Sequence, residues 1–203
     1  MLDRAEGPVL TVGPVRGEVA VLETVQRRLG TPPVVGAARA MSFFGEHAAG
    51  WIALGALGAA LDAPRRRQWG TAVAGVVAAH GASIVVKRVV RRRRPHDPRV
   101  AVHVGTPSRL SFPSSHASST TAAALLYAGL VGGAGAALTG RAPLRSVSRG
   151  AAGVLVPGMA LSRVVLGVHY PTDVLAGSVL GVVCAVGARR AVRRGSLGRW
   201  RTA

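Results

Sequence analysis

The sequence predicts an all-α protein: an integral-membrane helical bundle of about five spanning helices, preceded by amphipathic N-terminal helices. Three observations lead there. Hydrophobic residues make up 49% of the 203-residue chain and only 17% are charged, so much of it suits a non-aqueous surface. Uncharged runs rich in Gly and Ala follow one another, as close helix–helix contact in a bilayer requires. The cations gather between those runs: 26 Lys+Arg against 8 Asp+Glu leave a net charge of +18.

The same figures exclude other classes. A disordered basic tail would be poor in apolar residues. A nucleic-acid module needs aromatic platforms, which 4% aromatics and a mean hydropathy of +0.33 do not supply, so no nucleic-acid partner is expected. Cys184 is the one cysteine, which excludes an intramolecular disulfide framework and a Cys-based metal site. Lys87 is the one lysine. GC-rich coding explains the arginine excess, yet a lone lysine in that background is a candidate for a position where arginine does not serve.

Residues 1–15, with Gly7, Pro8, Gly13 and Pro14, read as a flexible N-terminus. No positively charged start leads into an apolar core there, so no cleavable signal peptide is expected. Over 16–46 amphipathic helices are expected. Val19, Leu22, Val25 and Leu29 recur at helical spacing, suiting either a membrane surface or packing on a bundle. Pro32 and Pro33 punctuate, and a short helix follows over 34–44. The core is expected over 47–190, with apolar runs at 48–61, 71–86, 117–140, 150–168 and 174–188. The run over 117–140 would rise about 36 Å as helix, enough for ~30 Å of hydrocarbon. Residues 191–203 form a basic tail. The expected location is the cell membrane, with several passes.

Hairpin logic brings three polar clusters to one face, with the stretches 65–67 and 141–149 and the tail on the other. The first cluster is Lys87, six residues, then Arg94-Pro95; a helix continuing past Val86 would put Lys87 and Arg94 two turns apart on one side. The second is Pro113-Ser114-Ser115-His116, a helix start suited to an anion. The third is Ser162-Arg163, five residues, His169, three residues, Asp173. Arg163 lies inside an apolar run, where an unpaired cation costs roughly 2.5–3.5 kcal/mol or more. Taken singly, each has a plainer reading: a positive-inside flank, an N-cap, an interfacial hydrogen-bonded pair. Together, three cations, a helix-start nest, two histidines and a carboxylate make a phosphoryl-transfer constellation without a metal. The histidines are scattered and no carboxylate cluster accompanies them, so neither metal nor other cofactor is expected.

KRVVRRRRP from Lys87, PSSH from Pro113 and SRVVLGVHYPTD from Ser162 resemble the signature of the type 2 phosphatidic acid phosphatase superfamily: K-x6-RP, PSGH, SR-x5-H-x3-D. Ser115 departs from it, standing where the family usually has Gly. The resemblance implies that Lys87, Arg94, Ser114, Ser115 and Arg163 bind phosphate. It makes His169 the nucleophile, Asp173 its orienting partner, and His116 the general acid and later base. It also implies a helical bundle with its site at the membrane–water boundary. The stretches MSFFGEHAAGW, VGTPSRLSFPSSHASSTTAA and MALSRVVLGVHYPTD further resemble actinobacterial decaprenylphosphoryl-5-phosphoribose phosphatases. That narrower likeness implies a polyprenyl-phosphoribose substrate on the way to cell-wall arabinan, among membrane lipids and open to association with other cell-wall precursor enzymes.

Alternatives remain open at this point. The substrate could be phosphatidic acid, phosphatidylglycerol phosphate or undecaprenyl diphosphate. The chain could instead be a non-catalytic partner of a prenyl phosphoribosyltransferase. Glu46 and His47 fit either a sugar contact or a structural role. The 97–110 loop is a candidate lid. Arginines are similarly abundant on both faces, so the positive-inside rule does not set the orientation.

Overall fold

The computed structural model of the chain describes residues 13–139 and 143–199. They fold into α1 (Glu18–Leu29), α2 (Pro32–Gly45), α3 (Ala49–Leu61), α4 (Arg66–Val90), α5 (Ser115–Thr139), α6 (Pro143–Val165) and α7 (Pro171–Arg199). Short 3-10 turns join α2 to α3 and α3 to α4. Among the described residues there is no strand, only one antiparallel bridge between Arg93 and Leu110. Most of the expected flexible segment, residues 1–12, and the last residues of the expected tail, 200–203, lie outside the described residues. The first part of that tail continues α7.

Local chemistry sets the helix limits. Pro32 and Pro33 occupy the first turn of α2, where a missing N–H is no loss. α4 stops at Val90 because Arg91 turns left-handed, at φ 53°, and its N–H closes on the Lys87 carbonyl. This corrects the expected helical two-turn spacing of Lys87 and Arg94: Arg94 stands in the loop that follows. α6 starts at Pro143, so residues 143–149, expected as a connection, are helical; 141 and 142 lie outside the described residues.

Among the described residues, two of the five expected segments are long and apolar enough to cross a membrane, Ala63–Val90 and Pro171–Val192. α3 has 13 residues, about 20 Å of helix. In α6 the described apolar stretch is Ala152–Val165. The run over 117–140 begins with buried hydroxyls, and its second half is outside the described side chains. The two long segments are not core helices, since only 28% of each apolar window is buried. Leu175, Val179 and Val183 face outward four residues apart on α7, and Val77, Val85 and Val89 face outward at multiples of four on α4. Exposed apolar stripes of this kind suit lipid.

α5 is central, packing on α4, α6 and α7. A core of Trp51, Trp69, Val76, Ala122, Tyr127 and Ala185 joins it to α3, α4 and α7. Where α5 meets α7 the backbones touch: a Cβ on Gly181 would lie 2.5 Å from the Ser118 carbonyl oxygen. α1 turns its apolar face to the bundle, burying Leu22 among Val100, Val164, Tyr170 and Val174. Val35 and Ala38 of α2 bury against Val165, Leu166 and Val168. The Gln26 amide donates to the carbonyls of Ala101 at 2.7 Å and Val165 at 3.0 Å, and Arg39 Nε donates to His103 O at 2.8 Å. The first half of the 97–110 loop is therefore pinned to α1 and α2.

One buried charge ties the N-terminal helix to α7. Arg92, 2% exposed, donates from Nη1 to Asp173 Oδ1 at 2.8 Å and Thr172 Oγ1 at 2.7 Å, and from Nη2 to Glu18. Its guanidinium carbon lies 4.2 Å from the Tyr170 ring centre. Glu18 also accepts from the Thr172 hydroxyl at 2.7 Å, the Thr172 N–H at 3.1 Å and the Val15 N–H at 2.7 Å. Burial on its own would raise the Glu18 pKa; the Thr172, Val15 and Arg92 donors outweigh it and hold the carboxyl below its ordinary range.

Arg92→Met would strand two buried carboxylates, so unfolding in detergent should show a loss of ~3–5 kcal/mol. Glu18, with its folded pKa depressed, contributes stability above its ordinary pKa and loses it as pH falls through the folded value. Unfolding of the wild type should therefore weaken below about pH 4, and that dependence should be shallower in Glu18→Gln.

Candidate active site

The three sequence clusters converge on one cavity of about 260 Å³. Lys87, Arg94, Ser115, His116, Arg163 and His169 all line it. Ser114 and Asp173, both fully buried, stand behind the wall. Short connections make the convergence possible. α4 delivers Lys87 in its last turn, and α5 opens with Ser115 and His116. α6 carries Arg163 in its last turn, and the link to α7 holds His169. The Ser114 N–H donates to the Asp173 carbonyl at 2.9 Å, fixing the start of α5 against the start of α7.

The cations differ in what they touch. Lys87 Nζ donates to Ser111 O at 3.0 Å and to the Pro113 carbonyl, anchoring the loop that leads into α5. Arg94 donates from Nε to Ser108 O at 2.8 Å and from Nη1 to Val168 O at 2.8 Å. Burial lowers its pKa to about 10, and it stays a cation at neutral pH. Arg163, 2% exposed, donates from Nη1 to the Ser42 hydroxyl at 2.6 Å, while its buried Nε has no hydrogen-bond partner. A buried donor left over in this way marks a place for an acceptor.

His169 is buried between Arg94 and Asp173. Arg94 Nη1 lies 3.0 Å from Nε2, which must accept, so the ring proton is assigned to Nδ1. Nδ1 faces Asp173 Oδ2 at 3.5 Å, just outside hydrogen-bond reach. Asp173 meanwhile accepts from Arg92 at Oδ1 and from the Tyr170 N–H at Oδ2, at 2.8 Å each. Burial first, then the nearby Arg94, Lys87 and Arg163 cations, hold the His169 pKa well below the ordinary histidine value. A neutral imidazole unprotonated at Nε2 can act as a nucleophile once that lone pair is released from Arg94. His116, on the opposite side, has Nε2 3.0 Å from Ser42 O. Gly45 backs this ring: a Cβ there would lie 2.8 Å from His116 Cδ2 and 3.1 Å from Met159 Cε.

Two residues that hold the site together escaped the sequence reading. Ser42 holds both Arg163 and His116, although it stands far from either motif in sequence. Arg92 was hidden in the run Arg91–Arg94, which reads as a membrane flank. His80 lines the cavity, as do Glu46 and His47, which the sequence left between a sugar contact and a structural role, and the 105–108 stretch of the candidate lid. His96 and His103 do not. Among the described residues no group of three His, Cys, Asp or Glu is placed to hold a metal ion.

Comparison with known proteins gives the family and the fold. The PAP2 superfamily pattern matches residues 42–196. A decaprenylphosphoryl-5-phosphoribose phosphatase of Mycolicibacterium smegmatis is 56% identical over 163 residues, covering 80% of this chain and 82% of its own. One of Mycobacterium tuberculosis is 49% identical over 181 residues, covering 86% and 93%. Two crystal structures share the fold. The first transmembrane PAP2-type phosphatidylglycerolphosphate phosphatase from Bacillus subtilis has TM-score 0.71 and 21% identity, over 89% of this chain and 88% of that one. Aquifex aeolicus LpxE has TM-score 0.65 and 15% identity, over 89% and 99%. Because the superfamily match takes in every residue gathered at the cavity, and the relatives align across most of the chain, this protein belongs to the PAP2 superfamily.

Proposed function

We propose that this chain is a multi-pass membrane phosphatase that hydrolyses decaprenylphosphoryl-5-phosphoribose to decaprenylphosphoryl-ribose and phosphate. One observation carries the reading: Lys87, Arg94 and Arg163 surround a single cavity with a neutral His169 beside them, and Arg163 keeps an unused buried donor. The name shared by the relatives supplies the substrate. Residues 47–190 form the phosphatase core, and 16–46 dock on it to add Glu18 and Ser42. The outward apolar faces of α4 and α7 sit in lipid, so the prenyl tail stays in the bilayer while the head group enters the cavity.

In this mechanism Lys87, Arg94, Arg163 and the Ser115 N–H hold the non-bridging phosphate oxygens, with Ser114 fixing the helix start. His169 Nε2 forms a bond to phosphorus as the ester P–O bond breaks, and His116, neutral in the empty site and taking up a proton as the phosphate dianion binds, gives that proton to the departing sugar oxygen. Asp173 balances the charge that develops on the His169 ring. His116 then takes a proton from water as the water oxygen bonds to phosphorus and the P–N bond breaks. Inorganic phosphate leaves and His169 returns to its neutral form. The three side-chain cations do the charge stabilisation that a metal would otherwise provide.

Phosphate release by the purified chain should survive EDTA, and should favour the prenyl phosphoribose over phosphatidic acid. His169→Ala should abolish it, and His116→Ala should lower kcat by about 10²–10⁴-fold. Wild-type rates in either variant would reject the mechanism. Gly45→Ala, which pushes on the His116 ring, should lower kcat by about tenfold or more with KM little changed, as steady-state kinetics would show.

A further inference from the structure

The transfer chemistry occupies one side of the cavity. Its volume of about 260 Å³ is several times the ~30 Å³ share of one water molecule, so a bound phosphate leaves room beside it. Glu46, His47 and His80 line that remaining space, and the mechanism uses none of them. Glu46 is the single carboxylate in the described lining. A carboxylate repels phosphate, so its place near three cations calls for a ligand group of another kind.

The wall has the donors and acceptors that hydroxyls need. Glu46 Oε1 lies 3.8 Å from His47 Nδ1, and the His47 and His80 rings are centred 6.3 Å apart. His80 Nδ1 is buried without a hydrogen-bond partner. A carboxylate only accepts, whereas an imidazole can accept or donate. Each hydroxyl of a polyol can therefore donate to Glu46 and accept from a histidine.

Backbone strain supports a role for this corner. His47 and Ala48 both adopt left-handed conformations, at φ 49° and 60°, with no glycine to ease them. Each costs about 1–2 kcal/mol. Core packing does not account for the strain at His47, whose side chain is 70% exposed. The kink turns α2 into α3 and places Glu46 and His47 at the cavity.

The geometry points to a sugar-diol subsite: Glu46, with His47 and His80, binds the vicinal hydroxyls of a pentose whose phosphate lies among Lys87, Arg94 and Arg163. The subsite rests on the phosphoribose reading and names the residues that select the sugar.

The test compares phosphate release from the prenyl phosphoribose and from its 2-deoxyribose counterpart, using the full chain in detergent as wild type, Glu46→Gln and His47→Asn. Removing the 2-hydroxyl should cost the wild type about tenfold or more in kcat/KM. Glu46→Gln should lose about as much on the ribose substrate and then distinguish the two substrates by less than about threefold. A purely structural role would lower both substrates equally and leave the discrimination intact, which would overturn the proposal. So would a wild type that does not discriminate. His47→Asn carries the same cycle if Glu46→Gln fails to fold. A wild type active on phosphatidic acid but not on the prenyl phosphoribose would instead overturn the phosphoribose reading itself.

Discussion

Four basic side chains surround one end of the bundle, and each meets its charge in a different way. Arg92 is neutralised inside the protein, between Glu18 and Asp173. Lys87, Arg94 and Arg163 lean on carbonyls and a hydroxyl, which satisfy hydrogen bonds but do not cancel charge. A carbonyl dipole is a weak substitute for an anion in a low-dielectric site. The cavity thus stores unbalanced positive charge in a preorganised frame, ready for a tetrahedral dianion. The loop ties, the kink after α2 and the polar start of α5 all serve to hold that charge in place.

The frame depends on close backbone approach. Gly181 lets α7 touch α5, and the Ser114 N–H reaches the Asp173 carbonyl at the same junction. Small residues over 114–124 bury almost completely there. Bulkier side chains would separate the helices and move Asp173 away from the start of α5. Packing and chemistry therefore impose the same requirement on α5: small, hydroxyl-bearing residues in its first two turns.

Much of this was legible in the sequence because the chemistry fixes residue types at local spacings. Ser162-Arg163…His169…Asp173 spans one helix end, one link and one helix start, so its spacing survives as geometry. Pro32 and Pro33 marked α2, and the apolar period of α1 was plain. Other features left no local trace. Arg91 is not a residue whose identity announces a left-handed helix end, so the stop at Val90 was missed and Arg94 was placed on the helix. Arg92 looks like its neighbours until the fold sets it against Glu18. Ser42 acts on residues 74 and 121 positions away. Hydropathy reads the start of α5 as apolar, whereas its hydroxyls are buried inside the bundle.

The link from α1 to His169 explains why an amphipathic helix belongs to this site at all. Asp173 divides its oxygens between Arg92 and the Tyr170 N–H, leaving His169 Nδ1 at 3.5 Å. An unshared carboxylate in full contact would make the imidazole more basic and favour its protonated form, which cannot attack phosphorus. Arg92 takes up part of that negative charge, and Glu18 holds Arg92 in position from the other side. In the proposed mechanism the ring stays neutral until phosphorylation makes it cationic, and at that moment the nearby carboxylate becomes favourable. By supplying Glu18, the first helix tunes how strongly Asp173 acts on His169 without touching either the ring or the phosphate.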